Sequence, residues 1–133
     1  MLTIVNFINN QHFSSKMDTP QEIEVWYVLP ALRREIAIAM KKQGLKQNEI
    51  AAKLNITEAA VSQYFSSKRA TKVVFNSYMK KEIAKSAKNI SSKCNRTIQI
   101  QRLLKIVKDQ GILCKLHRQI CGCENLEKCG VCL

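Results

Sequence analysis

The chain has 133 residues, of which 46% are apolar, and this suits one domain or a small domain with an appended segment. No apolar run approaches the roughly eighteen residues of a membrane-spanning helix. The first residues carry neither the basic leader nor the long apolar core of a secretory signal. We therefore expect a cytoplasmic protein with no membrane partner.

The net charge is +12 and the pI is near 9.7, so a polyanionic partner is expected. The charge is unevenly distributed. Residues 1–67 carry seven Lys and Arg against six acids, residues 68–118 carry fourteen against two, and residues 119–133 carry one against two. Nearly all the excess positive charge therefore lies between residues 68 and 118.

The composition predicts an all-α protein, with four Gly and two Pro among many Lys, Ile and Ala. Residues 1–19 show no clear period and form a predicted N-terminal extension. From Glu22 an apolar set at helical spacing predicts a helix, with Pro30 in its first turn and Gly44 as a left-handed cap. Trp26 is expected in the core or at an interface.

The stretch from Gln47 to Phe65 predicts two short helices joined by a tight turn. Asn55 tolerates the left-handed backbone of the turn, and Thr57 is a good N-cap for the second helix. The residues spaced for buried faces are Ile50, Ala51 and Leu54, then Val61, Tyr64 and Phe65. This pattern is typical of a helix-turn-helix, whose second helix enters the DNA major groove. The alternative is an ordinary helical hairpin in a core.

The polar and basic residues that follow predict a loop beside the DNA backbone. Ser66, Lys68 and Arg69 are its expected phosphate contacts. Beyond it, Phe75 to Ile90 show helical spacing, and Ser91–Asn95 reads as a break.

A further helix is predicted from about Thr97 to Gln110. Its apolar stripe consists of Ile100, Leu103, Leu104 and Val107. Because the DNA-reading unit is so small, we expect part of this stripe to make dimer contacts.

Five of the six cysteines fall between Cys114 and Cys132. In an intracellular protein, thiolates at this density favour an iron–sulfur cluster ([4Fe-4S] or [2Fe-2S]) or zinc, with a thiol or disulfide switch as a further alternative. The predicted ligands are Cys114, Cys123, Cys129 and Cys132, with Cys121 as a close alternative and Cys94 and His117 in reserve.

Two spacings in this tail bear on the choice. The Cys129/Cys132 pair suits zinc, whereas Cys121-Gly-Cys123 to Cys129 resembles part of the cluster loop of redox-sensing regulators of the SoxR type. Of these alternatives, an iron–sulfur cluster is favoured. A thiol oxidoreductase is not expected, because its Cys-x-x-Cys motif opens a helix after a strand, whereas Cys132 stands one residue from the last residue of the sequence.

Two stretches of the sequence resemble a known family. Val-Trp-Tyr-Val-Leu-Pro-Ala-Leu-Arg-Arg-Glu-Ile (25–36) and Ala-Ala-Val-Ser-Gln-Tyr-Phe-Ser-Ser-Lys-Arg (59–69) resemble small archaeal transcriptional regulators with a helix-turn-helix of the xenobiotic-response-element, or Cro/repressor, type. The resemblance covers about residues 20–133, including the cysteine-rich tail. It implies a dimeric regulator of double-stranded DNA, with a bundle of about five helices and a helical C-terminal segment that ends in a cysteine-rich loop.

The resemblance also implies roles for single residues. Gln47 should contact phosphate, while Glu58, Ala59 and Gln63 should approach base edges with Ser62 nearby. Residues 20–92 are then the DNA-binding domain, and residues 93–133 hold the dimerisation and cluster-binding segment.

The predicted function is a sequence-specific transcriptional regulator, not an enzyme, and no small-molecule substrate is expected. Its DNA binding would be controlled by a C-terminal iron–sulfur cluster that senses redox state, oxygen or cluster supply. The alternatives are a purely structural zinc site and a thiol switch.

Overall fold

The structure, a computed structural model, describes residues 19–66 and 73–121, and all regular secondary structure in them is helical. The first helix, α1, begins as Pro20–Ile23, passes through a π-helical segment, Glu24–Val28, and continues as Leu29–Lys42. The helices that follow are α2 (Gln47–Leu54), α3 (Glu58–Phe65), α4 (Ser77–Asn89), α5 (Lys93–Asp109) and α6 (Ile112–Cys121). The predicted all-α bundle with a helical C-terminal segment is confirmed.

Helix α1 begins earlier than the sequence pattern indicates, so Pro30 does not lie in its first turn. Thr19 caps the helix: its hydroxyl accepts from the Glu22 backbone N–H at 3.3 Å, and the Glu22 carboxylate accepts from the Thr19 backbone N–H at 3.3 Å. Pro30 is then the second residue after the π-helical segment, at whose end the Leu29 N–H bonds the Glu24 carbonyl. Because proline lacks an N–H and crowds the preceding turn, the wider π turn lets the helix continue through it.

Helix α5 also begins earlier than predicted. The Ser92 hydroxyl accepts from the Asn95 backbone N–H at 3.2 Å and forms the N-cap of the helix. The Ser91–Asn95 stretch is therefore a cap and a first turn rather than a longer break, and the helix starts at Lys93 instead of Thr97.

The described helices share one hydrophobic core, to which every helix contributes. Among its members with at most 1% of their surface exposed are Ile36, Met40, Ile50, Val61, Ile83, Leu103 and Leu113. Residues on both sides of the predicted boundary at residue 92 belong to this core. The boundary itself stays a prediction about function.

Most of the stripe on α5 faces this core. Leu103 and Val107 are 0% exposed and Leu104 is 8% exposed, because α5 packs against α1, α4 and α2 of the same chain. Ile100 is partly exposed. Ile100 is therefore the part of the stripe that is accessible to a partner chain, and dimer contacts there stay a prediction.

Across the two described ranges, none of the helices has the length and apolar character that crossing a membrane would require.

Candidate nucleic-acid interface

The turn between α2 and α3 has the backbone that the sequence predicts. Asn55 lies in the left-handed region, with φ 54° and ψ 47°, and it is the C-cap of α2. The Ile56 N–H then bonds the Ala51 carbonyl at 3.0 Å, which satisfies one of the last carbonyls of the helix. Asn55 is therefore the point that sets the angle between the two helices.

Two side chains define the N-terminal end of α3. The Thr57 hydroxyl accepts from the Ala60 backbone N–H at 3.1 Å, so the predicted N-cap is confirmed. Gln47, the first residue of α2, donates its side-chain N–H to the Glu58 backbone carbonyl at 2.9 Å. This second bond was not predictable from the sequence, because the two residues belong to different helices.

Helix α3 has one buried face and one exposed face. Ala60, Val61 and Tyr64 are buried, while the four residues predicted to approach bases (Glu58, Ala59, Ser62 and Gln63) are all exposed. The predicted phosphate contact Ser66 is also exposed, and its hydroxyl donates to the Gln63 carbonyl at 3.1 Å. Lys68 and Arg69 lie outside the described residues.

The C-terminal end of α3 is held by α1. The Lys41 ammonium lies 4.4 Å from the centroid of the Phe65 ring, which is itself partly buried against the core. This cation–π contact places a positive charge at the C-terminal end of α3. Lys42, the last residue of α1, and Lys46, just before α2, are exposed.

Several cations that sequence analysis counted toward DNA binding are engaged within the fold. Arg102 donates to the Glu82 carboxylate at 2.6 Å, to the Glu82 carbonyl at 3.0 Å and to the Ser86 hydroxyl at 2.7 Å. The Arg102 side chain lowers the pKa of the Glu82 carboxyl below its usual value, and Lys85 adds to the effect. Lys108 pairs with Glu24 at 3.2 Å.

The structure describes only part of the predicted metal site. Cys114 is half-buried on α6, His117 is buried, and Cys94 is exposed in the first turn of α5. The side chain of Cys121 and all of Cys123, Cys129 and Cys132 lie outside the described residues. Within 19–66 and 73–121, no three His, Cys, Asp or Glu side chains are grouped as a metal site.

Residues 36–73 match the family model of a helix-turn-helix of the Cro/C1 type. The chain carries the helix-turn-helix of a DNA-binding regulator. The matched range includes α2 and α3 completely and begins at the core residue Ile36 of α1. No curated protein and no solved structure matches the chain.

Proposed function

We propose that this protein reads DNA sequence with α3 in the major groove, through Glu58, Ala59, Ser62 and Gln63. The observation that carries the proposal is that these four residues share the exposed face of the second helix of a helix-turn-helix. The Gln63 amide can pair with adenine through two hydrogen bonds, and the Ala59 methyl can touch a thymine methyl. Glu58 accepts from cytosine N4 or disfavours wrong sequences.

Gln47 has a double role in this proposal. One N–H of its amide donates to the Glu58 carbonyl, which fixes the orientation of the side chain. An amide group has two N–H donors, so the second can bond a DNA phosphate. The same residue then aligns α3 and anchors α2 on the DNA backbone.

Base-site selection with the Gln63→Ala variant tests this proposal. The variant should lose discrimination at one base pair, by about 1–3 kcal/mol. Gln119→Ala, which removes an exposed glutamine from α6, is the matched control and should leave sequence preference unchanged. Unaltered preference in Gln63→Ala would show that α3 is not the reading helix.

We further propose that the C-terminal cysteines hold an iron–sulfur cluster that controls DNA binding. Cys114, His117 and Cys121 recur at helical spacing along one side of α6, and three more cysteines follow within twelve residues. A cluster, when bound, would supply a reversible one-electron redox change at its iron atoms, which the cysteine thiolates would hold. Zinc and a thiol switch remain the alternatives.

A continuous route joins α6 to the reading helix. Helix α6 packs against Pro20–Ile23, the first turn of α1. The other end of α1 carries Lys41, which contacts Phe65 of α3. A shift of α6 can therefore reach α3 through one helix, provided that α1 moves as a unit.

Anaerobic purification followed by iron, sulfide and visible-absorption measurements tests the cluster. Cys129→Ser should lose the absorption and the redox dependence of DNA affinity, whereas Gln119→Ala, which removes no candidate ligand, should retain both. A colourless protein with stoichiometric zinc would contradict the cluster and favour the structural metal site.

Finally, we propose that the regulator binds DNA as a homodimer, since two reading helices about 34 Å apart can enter successive major-groove faces. Light scattering on the full chain should give twice the protomer mass of 15.2 kDa. The protomer mass at micromolar concentration and above would contradict this.

A further inference from the structure

A basic cleft lies between the C-terminal end of α2 and the start of α5. It has a volume of about 440 Å³, and its lining residues are Ala52, Lys53, Asn55, Ser91, Ser92, Lys93 and Arg96. Three of these side chains are cationic and none is acidic. The side chains come from two helices and one connection, so the fold rather than the sequence brings them together.

A second cleft, lined by more aliphatic side chains, adjoins the first. It has a volume of about 520 Å³ and shares Asn55 and Arg96 with the basic cleft. Its other lining residues are Leu29, Arg33, Leu54, Ile56, Thr97, Ile100 and Gln101. The combined lining contains four cations, no carboxylate and four aliphatic side chains. Each cleft is within the size range of pockets that bind small molecules.

The fold holds two of these cations in place without neutralising them. The Arg96 guanidinium donates to the Lys53 backbone carbonyl at 3.0 Å, and the Lys53 ammonium donates to the Ile90 carbonyl at 3.2 Å. Both partners are neutral, and within residues 19–66 and 73–121 neither cation forms an ion pair with a carboxylate. A guanidinium has five N–H donors and an ammonium three, so donors remain on each for an anion.

From this arrangement we infer that the paired clefts bind a small organic molecule that carries a phosphate group. A phosphate monoester has a charge of about −1.5 to −2 at pH 7 and three strong acceptor oxygens, which suits Lys53, Lys93 and Arg96. The aliphatic side chains of the adjoining cleft take the organic part. A free ligand is favoured over a DNA phosphate because Asn55 and Gln47 lie at opposite ends of α2, about 12 Å apart along its axis.

Asn55 links this site to the angle between α2 and α3. It is the left-handed joint between α2 and α3, and it borders both clefts. A ligand that binds one angle of this joint better than another shifts the placement of α3 by that difference in affinity. This regulatory step rests on the proposed reading role of α3, whereas ligand binding itself does not.

Amide NMR titration of the full chain without DNA, in phosphate-free buffer at constant ionic strength, tests the site. Phenyl phosphate should shift the amides of Asn55, Ser92 and Lys93 saturably, inorganic phosphate should bind more weakly, and phenol should leave them unchanged. Lys93→Gln should weaken phenyl phosphate binding by about fivefold, the upper range for an exposed ion pair. The matched control is Lys81→Gln, which removes an exposed lysine on α4 outside both clefts.

Four results would overturn the inference. The first is the absence of saturable shifts, and the second is equal weakening of phenyl phosphate binding by the two variants. The third is equal affinity for inorganic and phenyl phosphate, which would leave the adjoining cleft without a role. The fourth concerns DNA: if Lys93→Gln leaves phenyl phosphate binding intact but lowers the salt dependence of DNA affinity by one phosphate contact, the cleft binds the DNA backbone.

Discussion

Removing the N-cap of α3 tests the proposed role of this helix in DNA binding. In Thr57→Ala, the Ala60 N–H loses the hydroxyl that accepts from it at 3.1 Å. Loss of such a cap costs about 1 kcal/mol of the free energy of unfolding. For a chain of this length we expect the Tm to fall by about 4 °C.

DNA affinity should fall as well, because Glu58 and Ala59 lie in the turn that frays without the cap. We expect a loss of about threefold to tenfold, which corresponds to the same ~1 kcal/mol. Thr57→Ser keeps the hydroxyl and should behave as the wild type in both measurements. Thermal unfolding and a DNA titration at fixed salt provide the two numbers.

The matched control removes a cap of the same kind from α4. The Asn76 side chain accepts from the Met79 backbone N–H at 2.9 Å, so Asn76→Ala should lower the Tm by a similar amount. It should leave the affinity of the folded protein for DNA unchanged. If Asn76→Ala weakened DNA binding as much as Thr57→Ala, the loss would reflect general destabilisation, and the reasoning about α3 would be wrong.

Three further predictions concern the fold around the reading helix. Gln47→Ala removes the bond to the Glu58 carbonyl and should cost about 1 kcal/mol of stability, together with DNA affinity at every sequence. Leu103→Ala opens a cavity in the core and should cost about 2–5 kcal/mol in urea unfolding, whereas Ile98→Ala, at a position 63% exposed, should change little. Glu82→Gln should destabilise the protein at neutral pH, and this destabilisation should shrink on acidification. The reason is that the lowered pKa of Glu82 stabilises the folded state fully above the ordinary pKa of a glutamate. That stabilisation is lost as the pH falls below it.

Each of these has a result that contradicts it. Unchanged stability in Gln47→Ala would show that its bond to the Glu58 carbonyl contributes nothing in solution. A change of oligomeric state in Leu103→Ala, without loss of protomer stability, would show that Leu103 lies in a dimer surface rather than in the core. A pH-independent difference between Glu82→Gln and the wild type would remove the role of the Arg102 pair in acid unfolding.

The sequence predicted the features that depend on neighbouring residues. Asn55 and Thr57 act through backbone groups a few positions away, so the residue types alone indicate the turn and the cap. The buried faces of α2 and α3 follow equally from local spacing. The predicted break at Ser91–Asn95 was too long, because its serines and asparagine are as typical of a helix cap as of a loop.

Contacts between residues that are distant along the chain could not be predicted from the sequence. Gln47 and Glu58 are 11 positions apart, Arg102 and Glu82 are 20 apart, and Arg96 and Lys53 are 43 apart. No periodicity encodes such pairs. They matter here because they decide which cations are neutralised, which side chain orients α3, and where a basic cleft forms.

These pairs also change the account of DNA affinity. Helix α3 carries one acid, Glu58, and no cation, so attraction to the DNA backbone must come from outside it. Arg102 and Lys108 are engaged with carboxylates, Lys53 donates to the Ile90 carbonyl, and Arg96 donates to the Lys53 carbonyl. In the described residues, Lys41 at the end of α1 contacts Phe65 of α3, and Lys42 and Lys46 are exposed close to it in sequence. Part of the positive charge beyond residue 68 is therefore engaged within the fold, and only the remainder is available to a polyanionic partner.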